Sequence, residues 1–430
     1  MSPVVTKSSP IVVRPLEPVT IDGTIKLSSF DKGLDKLPAT VFLMFEQPIH
    51  EPAETIKKAL SQALIHYYPF AGRIVAGADD DDEVQIHCNG EGVVFVAASA
   101  SFAMEEVIFS DDQSPGASML VDKLAVRYPD DRCGPTDPLL LMQVTEFTCS
   151  GFVIGATWNH AIADGAGMGQ FLQAIGELAR GLSSPSVIPV RWDDTVASIR
   201  ASAPPAEQQL LQKFDLLEDL PILDITISSR LINQVTAEFS RRFNGQSCTK
   251  FDVVSAVIWK CRTRAIMSDP EAPALLLFAA NVRKHVGAKQ GYYGNCITSQ
   301  LVMAKSGMVA SGDITDLVMM IKRSKEKIQE QFNNDPGSNM QQAIGQQQLL
   351  PQVGYSMLVM SSWRNLGFDM ADFGSGRPAK VTSYIPEKLP FPCLVILPPC
   401  KGKDSAIIVS SATVKEDHAD AFLGELARFM

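Results

Sequence analysis

Six histidines occur in the chain, and one of them, His160, stands in a context that suits chemistry. The β-prone apolar run Gly151 to Trp158 leads into Asn159 and His160. Met168, Phe171, Leu172, Ile175 and Leu178 then recur at helical spacing. His160 is therefore expected at a strand-to-helix turn, where two regular elements fix a side chain while Gly165, Gly167 and Gly169 let the backbone turn. A neutral imidazole held there could serve as a general base. With Asp164 it makes the pattern His-x-x-x-Asp, followed by Gly165. The bare pattern is common by composition, and it reads equally as a His closing a strand and an Asp stabilising the first turn of a helix.

Two other chemistries can be weighed on the same residues. Gly165, Gly167 and Gly169 follow a strand and open a helix as a dinucleotide fingerprint would, but the third glycine falls one residue early. The acidic residue expected about 20 positions on is missing, since Ser186 to Val190 lie there and Asp193 and Asp194 come later. A nicotinamide-dependent oxidoreductase is thus a poor fit. A covalent serine mechanism would need the elbow G-x-S-x-G, and Gly374-Ser375-Gly376 has the wrong spacing.

The elements that must position His160 alternate helix and strand. Ile56, Leu60, Leu64 and Tyr67 mark an amphipathic helix between Pro52 and Pro69. Val84, Ile86 and Cys88, then Val93 to Val96, read as a hairpin around Asn89-Gly90-Glu91-Gly92, behind a solvated acidic loop at Asp79 to Glu83. Gly181 to Pro205 collects Ser and Pro without a period and reads as a linker. Beyond it, Thr249 is a candidate N-cap, with Asp252 three residues on, for a helix through Trp259. Leu275 to Ala280 is an apolar strand, and Ile314 to Phe332 carries one long amphipathic pattern. Leu394 to Leu397 and Ile407 to Val409 are strands, and Phe422 to Phe429 closes on a helix. The chain is therefore expected to be α/β with mixed sheets: a first unit at 1–180, a crossover at 181–205 and a second unit at 206–430.

The bulk numbers narrow the function. A chain of 430 residues with 46% apolar and 20% charged residues can bury a large core. Its net charge of −10 argues against nucleic acid and anionic membrane as partners. Neither a signal peptide nor a membrane-spanning run is read. The eight cysteines are scattered with no metal-ligand spacing, which suits reduced thiols and a cytoplasmic protein without a metal.

His160 to Gly165, together with Asp372-Phe373-Gly374-Ser375-Gly376, resembles the paired HxxxDG and DFGWG signatures of the plant BAHD acyltransferases. The likeness extends along nearly the whole chain. It includes Tyr67-Tyr68-Pro69-Phe70-Ala71-Gly72-Arg73, Asn281-Val282-Arg283, Tyr293-Gly294-Asn295 and Ser362-Trp363. One residue departs: Ser375 stands where the family has tryptophan.

The resemblance implies two chloramphenicol-acetyltransferase-like domains with a channel between them and His160 midway along it. It implies transfer of an acyl group from acyl-CoA, a co-substrate and not a bound cofactor, to the hydroxyl or amine of a small plant metabolite. His160 would be the base, without a covalent acyl-enzyme, in a monomeric protein. An acyl-CoA-binding pseudoenzyme is the alternative, because the family tryptophan has been assigned an oxyanion role and Ser375 replaces it. The resemblance also pairs Asp164 with Arg283 as structural support and makes the loop of Asp372, Gly374 and Gly376 structural, with Ser375 a candidate for the oxyanion or pocket. From the residues themselves, Thr249 and Lys250 at a helix start are candidates for CoA phosphate.

Overall fold

The computed structural model describes residues 3–18, 23–77, 84–105, 121–198, 217–333, 354–401 and 406–429. The acidic loop at Asp79 to Glu83 and the second part of the expected linker lie outside them.

Alternating and continuous apolar runs produce two large mixed sheets. The first has seven strands, in the order Val5–Lys7, Val93–Ala100, Leu140–Glu146, Phe152–Asn159, Pro38–Phe45 and Lys380–Ser383, with Ile11–Val13 also paired to Val93–Ala100. The second has six: Leu223–Ile227, Ile407–Ala412, Cys393–Ile396, Met357–Ser362, Pro273–Asn281 and Ile297–Lys305. A small third sheet joins Thr24–Lys26, Val84–His87 and Arg73–Ala76.

Each large sheet carries its own core. Against the first pack the helices Pro52–His66 and Gly165–Ala179, around Leu60, Phe70, Phe171 and Trp158. Against the second packs the helix Lys250–Ile266, buried over most of its length and flanked by Ser229–Arg242, Ile314–Glu326 and Glu416–Ala427.

Three expectations change. The hairpin at 84–96 does not form: Val84–His87 is already paired on both edges, by Thr24–Lys26 and Arg73–Ala76. Val93–Ala100 joins the other sheet instead, beginning just after Gly92, whose N–H donates to Ala71 O and whose φ of +97° turns the chain away. The single helix expected through Phe332 is two, Ile314–Glu326 and Ile328–Asn333. Nor do the sheets follow a division into 1–180 and 206–430 throughout. Lys380–Ser383 pairs antiparallel with Pro38–Phe45, and Phe368, Ala371 and Phe373 lie in the first core. Sequence distance hid this, because the apolar residues of 363–383 look the same whichever sheet they cover.

The helix Gly165–Ala179 is the element against which the second half of the chain docks. A Cβ at Gly167 would collide with the Tyr293 carbonyl, and one at Gly176 with the Asp372 carbonyl. Glycine at those positions lets backbone lie directly on the helix.

Candidate active site

The turn that carries His160 is tied down residue by residue. Asn159 N donates to Leu139 O at 3.0 Å, its Nδ2 donates to Asp35 O at 2.7 Å, and its Oδ1 accepts from Ala161 N at 3.0 Å. His160 N donates to Leu37 O at 2.8 Å, and the Trp158 indole donates to Ala163 O at 2.9 Å. Backbone and side chain together leave this loop little freedom.

The imidazole Nδ1 lies 3.0 Å from Asn295 Oδ1. Asn295 is fully buried and its Nδ2 reaches two groups that can only accept, Asp31 Oδ1 at 2.8 Å and His160 O at 2.8 Å. Its NH₂ must therefore face them and its oxygen must face the ring. That oxygen accepts a hydrogen bond from Nδ1–H, so the lone pair of the neutral ring sits on Nε2. Burial holds the imidazole below its ordinary pKa, outweighing the upward pull of Asp164, Asn295 and Asp31. His160 is thus a neutral ring at neutral pH with its basic nitrogen in a defined position.

Asp164 is the N-cap of the helix Gly165–Ala179, with Oδ1 accepting from Gly167 N at 2.9 Å. Both its oxygens also accept from Arg283, Nη1 to Oδ2 at 2.8 Å and Nη2 to Oδ1 at 2.8 Å, and Cys296 N donates to Oδ2 at 3.1 Å. Arg283 also donates to Tyr292 O at 3.1 Å and to Gly294 O at 2.6 Å. The bidentate pair clamps the first-half helix to the segment Tyr292 to Cys296, which carries Asn295. Asp164 acts on His160 through this frame and through its charge.

The second motif lies at the other end of the same helix. Asp372 Oδ1 accepts from Gly374 N at 2.8 Å and Gly376 N at 2.9 Å, closing the loop on itself. Its Oδ2 pairs with Arg180 at 3.3 Å, one residue past the helix end. A 15-residue helix spans about 22 Å, so this loop and His160 are not brought together. Ser375 Oγ has no hydrogen-bond partner among the described residues and belongs to that distant loop. Its placement does not suit an oxyanion donor for a reaction at His160.

Thr249 does cap the helix Lys250–Ile266: its hydroxyl accepts from Asp252 N at 3.2 Å and Asp252 Oδ2 accepts from Thr249 N at 2.8 Å. Asp252 also pairs with Lys325 at 2.5 Å. The helix start already holds a carboxylate, and Lys250 beside it is exposed. Among the described residues no group of three or more His, Cys, Asp or Glu could hold a metal, and all eight cysteines are free thiols. No described helix is long and apolar enough to cross a membrane.

The dinucleotide reading meets two obstacles. The strand Phe152–Asn159 runs antiparallel to both neighbours, and the Gly167 N–H that would face a pyrophosphate is occupied by Asp164.

Comparison with known proteins gives the class. A family model described as the Transferase family matches residues 3–419, and the chain belongs to this family, the BAHD acyltransferases. It is 47% identical over 445 residues to Acyl transferase 15 of Oryza sativa subsp. japonica, covering 100% of this chain and 99% of that protein. It is 34% identical to the Myricetin 3-O-glucosyl 1,2-rhamnoside 6'-O-caffeoyltransferase AT2 of Crocosmia x crocosmiiflora, over 100% of both. The fold matches the crystal structure of vinorine synthase with a TM-score of 0.79 at 21% identity, over 99% and 98% of the two chains. It also matches TRI101 of F. graminearum complexed with coenzyme A and T-2 mycotoxin, with a TM-score of 0.63 at 16% identity, over 93% and 96%. The fold is thus the chloramphenicol-acetyltransferase-like one.

Sequence reasoning singled out His160, Asp164 and Arg283, and the structure gathers them around one helix start. It gave no role to Asn295, Asp31 or Asn159. Asn295 stood in view behind Tyr293-Gly294, and Asp31 has the S-x-x-D spacing of a capping box from Ser28, but nothing in the sequence links either to residue 160.

Proposed function

We propose that this protein transfers an acyl group from acyl-CoA to the hydroxyl or amine of a small plant metabolite, with His160 as general base. One observation carries the reading: Asn295 holds Nδ1 of a half-buried imidazole as a donor, which leaves Nε2 to accept a proton. A thioester is already activated, so the enzyme needs a base and no covalent intermediate of its own. As the acceptor oxygen or nitrogen attacks the thioester carbonyl, Nε2 takes its proton. When the tetrahedral intermediate collapses, the proton returns to the departing CoA thiolate. Such proton transfer contributes roughly 10²–10⁴-fold in rate, with orientation of the two substrates supplying more.

The relatives support the donor and acceptor classes. A TRI101 structure holds coenzyme A, one relative is named a caffeoyltransferase acting at an oxygen, and another, 30% identical, is named an N-benzoyltransferase of Taxus canadensis. The intact contacts of His160 and Asp164 favour turnover over mere acyl-CoA binding. A panel of acyl-CoAs against pooled alcohols and amines, read by mass spectrometry for product and for free CoA, tests the reading. Acyl-CoA-dependent product that disappears with His160→Ala supports it; tight acyl-CoA binding with no product from any acceptor favours a binding protein.

A further inference from the structure

The segment expected to be a bare linker reaches into the site. Val190 N donates to Gly291 O at 2.9 Å and Tyr293 N donates to Val190 O at 3.0 Å, stitching this segment to the strand-like stretch that precedes Asn295. The next residue, Arg191, is 5% exposed and points beneath the His160 loop. Its Nη2 donates to Ala161 O at 3.1 Å and pairs with Asp31 Oδ2 at 3.1 Å.

Asp31 is fully buried and its oxygens are divided between two tasks. Oδ2 accepts from Ser28 N at 2.9 Å and Ser28 Oγ at 2.7 Å as well as from Arg191. Oδ1 accepts from Asn295 N at 3.2 Å and Asn295 Nδ2 at 2.8 Å. The series Arg191, Asp31, Asn295, His160 is continuous, and it draws on the crossover, the N-terminal segment, the second half and the catalytic turn.

Arg191 is not held in place by saturated hydrogen bonding. Its Nε and Nη1 are buried without hydrogen-bond partners among the described residues. Burying a guanidinium with two idle nitrogens is costly, and what Arg191 does engage is Asp31 and the carbonyl next to His160. We propose that Arg191 and Asp31 are positioning residues for the acyl transfer: the ion pair locks the Asn295 amide in the orientation that keeps His160 as the Nδ1–H tautomer. This rests on His160 being the base.

The charges facing the His160 ring are Asp164 on its own loop and Asp31 from the N-terminal segment, with Arg283 and Arg191 as their respective counter-charges. Breaking the second pair from either side should therefore move the ring in opposite directions. Asp31→Asn leaves Arg191 uncompensated, disfavours the imidazolium and should shift the acid limb of kcat/KM to lower pH. Arg191→Met leaves Asp31 uncompensated and should shift that limb to higher pH. Both are expected to lower kcat by at least about 10-fold, with the acyl-CoA KM within about twofold of wild type. The opposite shifts check that the two charges face the ring, whereas a role confined to folding would leave kcat per folded molecule unchanged.

Either single change could cost solubility, because each strands a buried charge. The paired variant Asp31→Leu/Arg191→Met removes both charges together, which proteins tolerate better; it should fold, keep its melting temperature and still lose kcat. Arg191→Lys, which keeps the charge, should recover activity relative to Arg191→Met. Wild-type kcat in the paired variant, limbs that shift in the same direction, or indistinguishable Lys and Met variants would each overturn the proposal. If His160→Ala itself retains full activity, the base reading fails; if that variant is inactive while the paired variant turns over normally, only the positioning role fails.

Discussion

Arg283 meets Asp164 through two parallel hydrogen bonds, each 2.8 Å long, across 119 residues of sequence. The contact joins the N-cap of the helix after His160 to the segment that presents Asn295, so one ion pair ties together the two parts of the chain that carry His160 and its hydrogen-bond partner.

Removing either partner strands a buried charge. Asp164→Ala and Arg283→Ala should each lower stability by about 3–5 kcal/mol, as measured by urea unfolding. The double variant should lose much less than the sum, because the pair is a single unit. Additive losses would show that the two contribute independently.

Asn295→Leu removes the oxygen that holds Nδ1–H and leaves the ring free to adopt the other tautomer. Its kcat should fall by at least about 10-fold while the acyl-CoA KM stays nearly unchanged. A fall confined to KM would place Asn295 in substrate binding instead.

Burial keeps the His160 pKa below 6.5, so the free base persists below that pH. The acid limb of kcat/KM should accordingly lie under pH 6.5, with rate falling as pH drops through the folded-state value. The same shift has a stability sign: in that window the unfolded chain binds the proton more readily, so the contribution of His160 to stability is present above pH 6.5 and is lost as pH falls. An acid limb above pH 6.5 would mean that the charged ring is favoured in the folded protein, contrary to its burial.

Ser375 sits on a loop that Asp372 closes beside Arg180, at the helix end opposite Asp164. Ser375→Trp should therefore alter melting temperature or soluble yield and leave the ratio of rates on a small and a large acyl-CoA unchanged. A selective loss on the large donor would put Ser375 at the substrate.

Much of the fold was legible because local pattern decided it. The Thr249 and Asp252 capping box, the Leu275 to Ala280 strand and the helix that follows His160 all rest on neighbours within one turn or one strand. What the sequence hid was pairing over distance. Lys380–Ser383 crosses to the first sheet, Val84–His87 abandons its neighbour for Thr24–Lys26, and Arg191 turns from an expected linker into part of the site. The motif residues were visible for the same reason that Asn295 and Asp31 were not. His160 and Asp164 are four positions apart, whereas His160 and Asn295 are separated by 135 and Asp31 and Asn295 by 264.

The central claim is that Nε2 of His160 takes the acceptor's proton, and single-turnover acyl transfer by His160→Ala tests it most directly. The variant should fold and bind CoA as the wild type does while the transfer step slows by at least about 10²-fold. Transfer at the wild-type rate in a correctly folded variant would contradict the account.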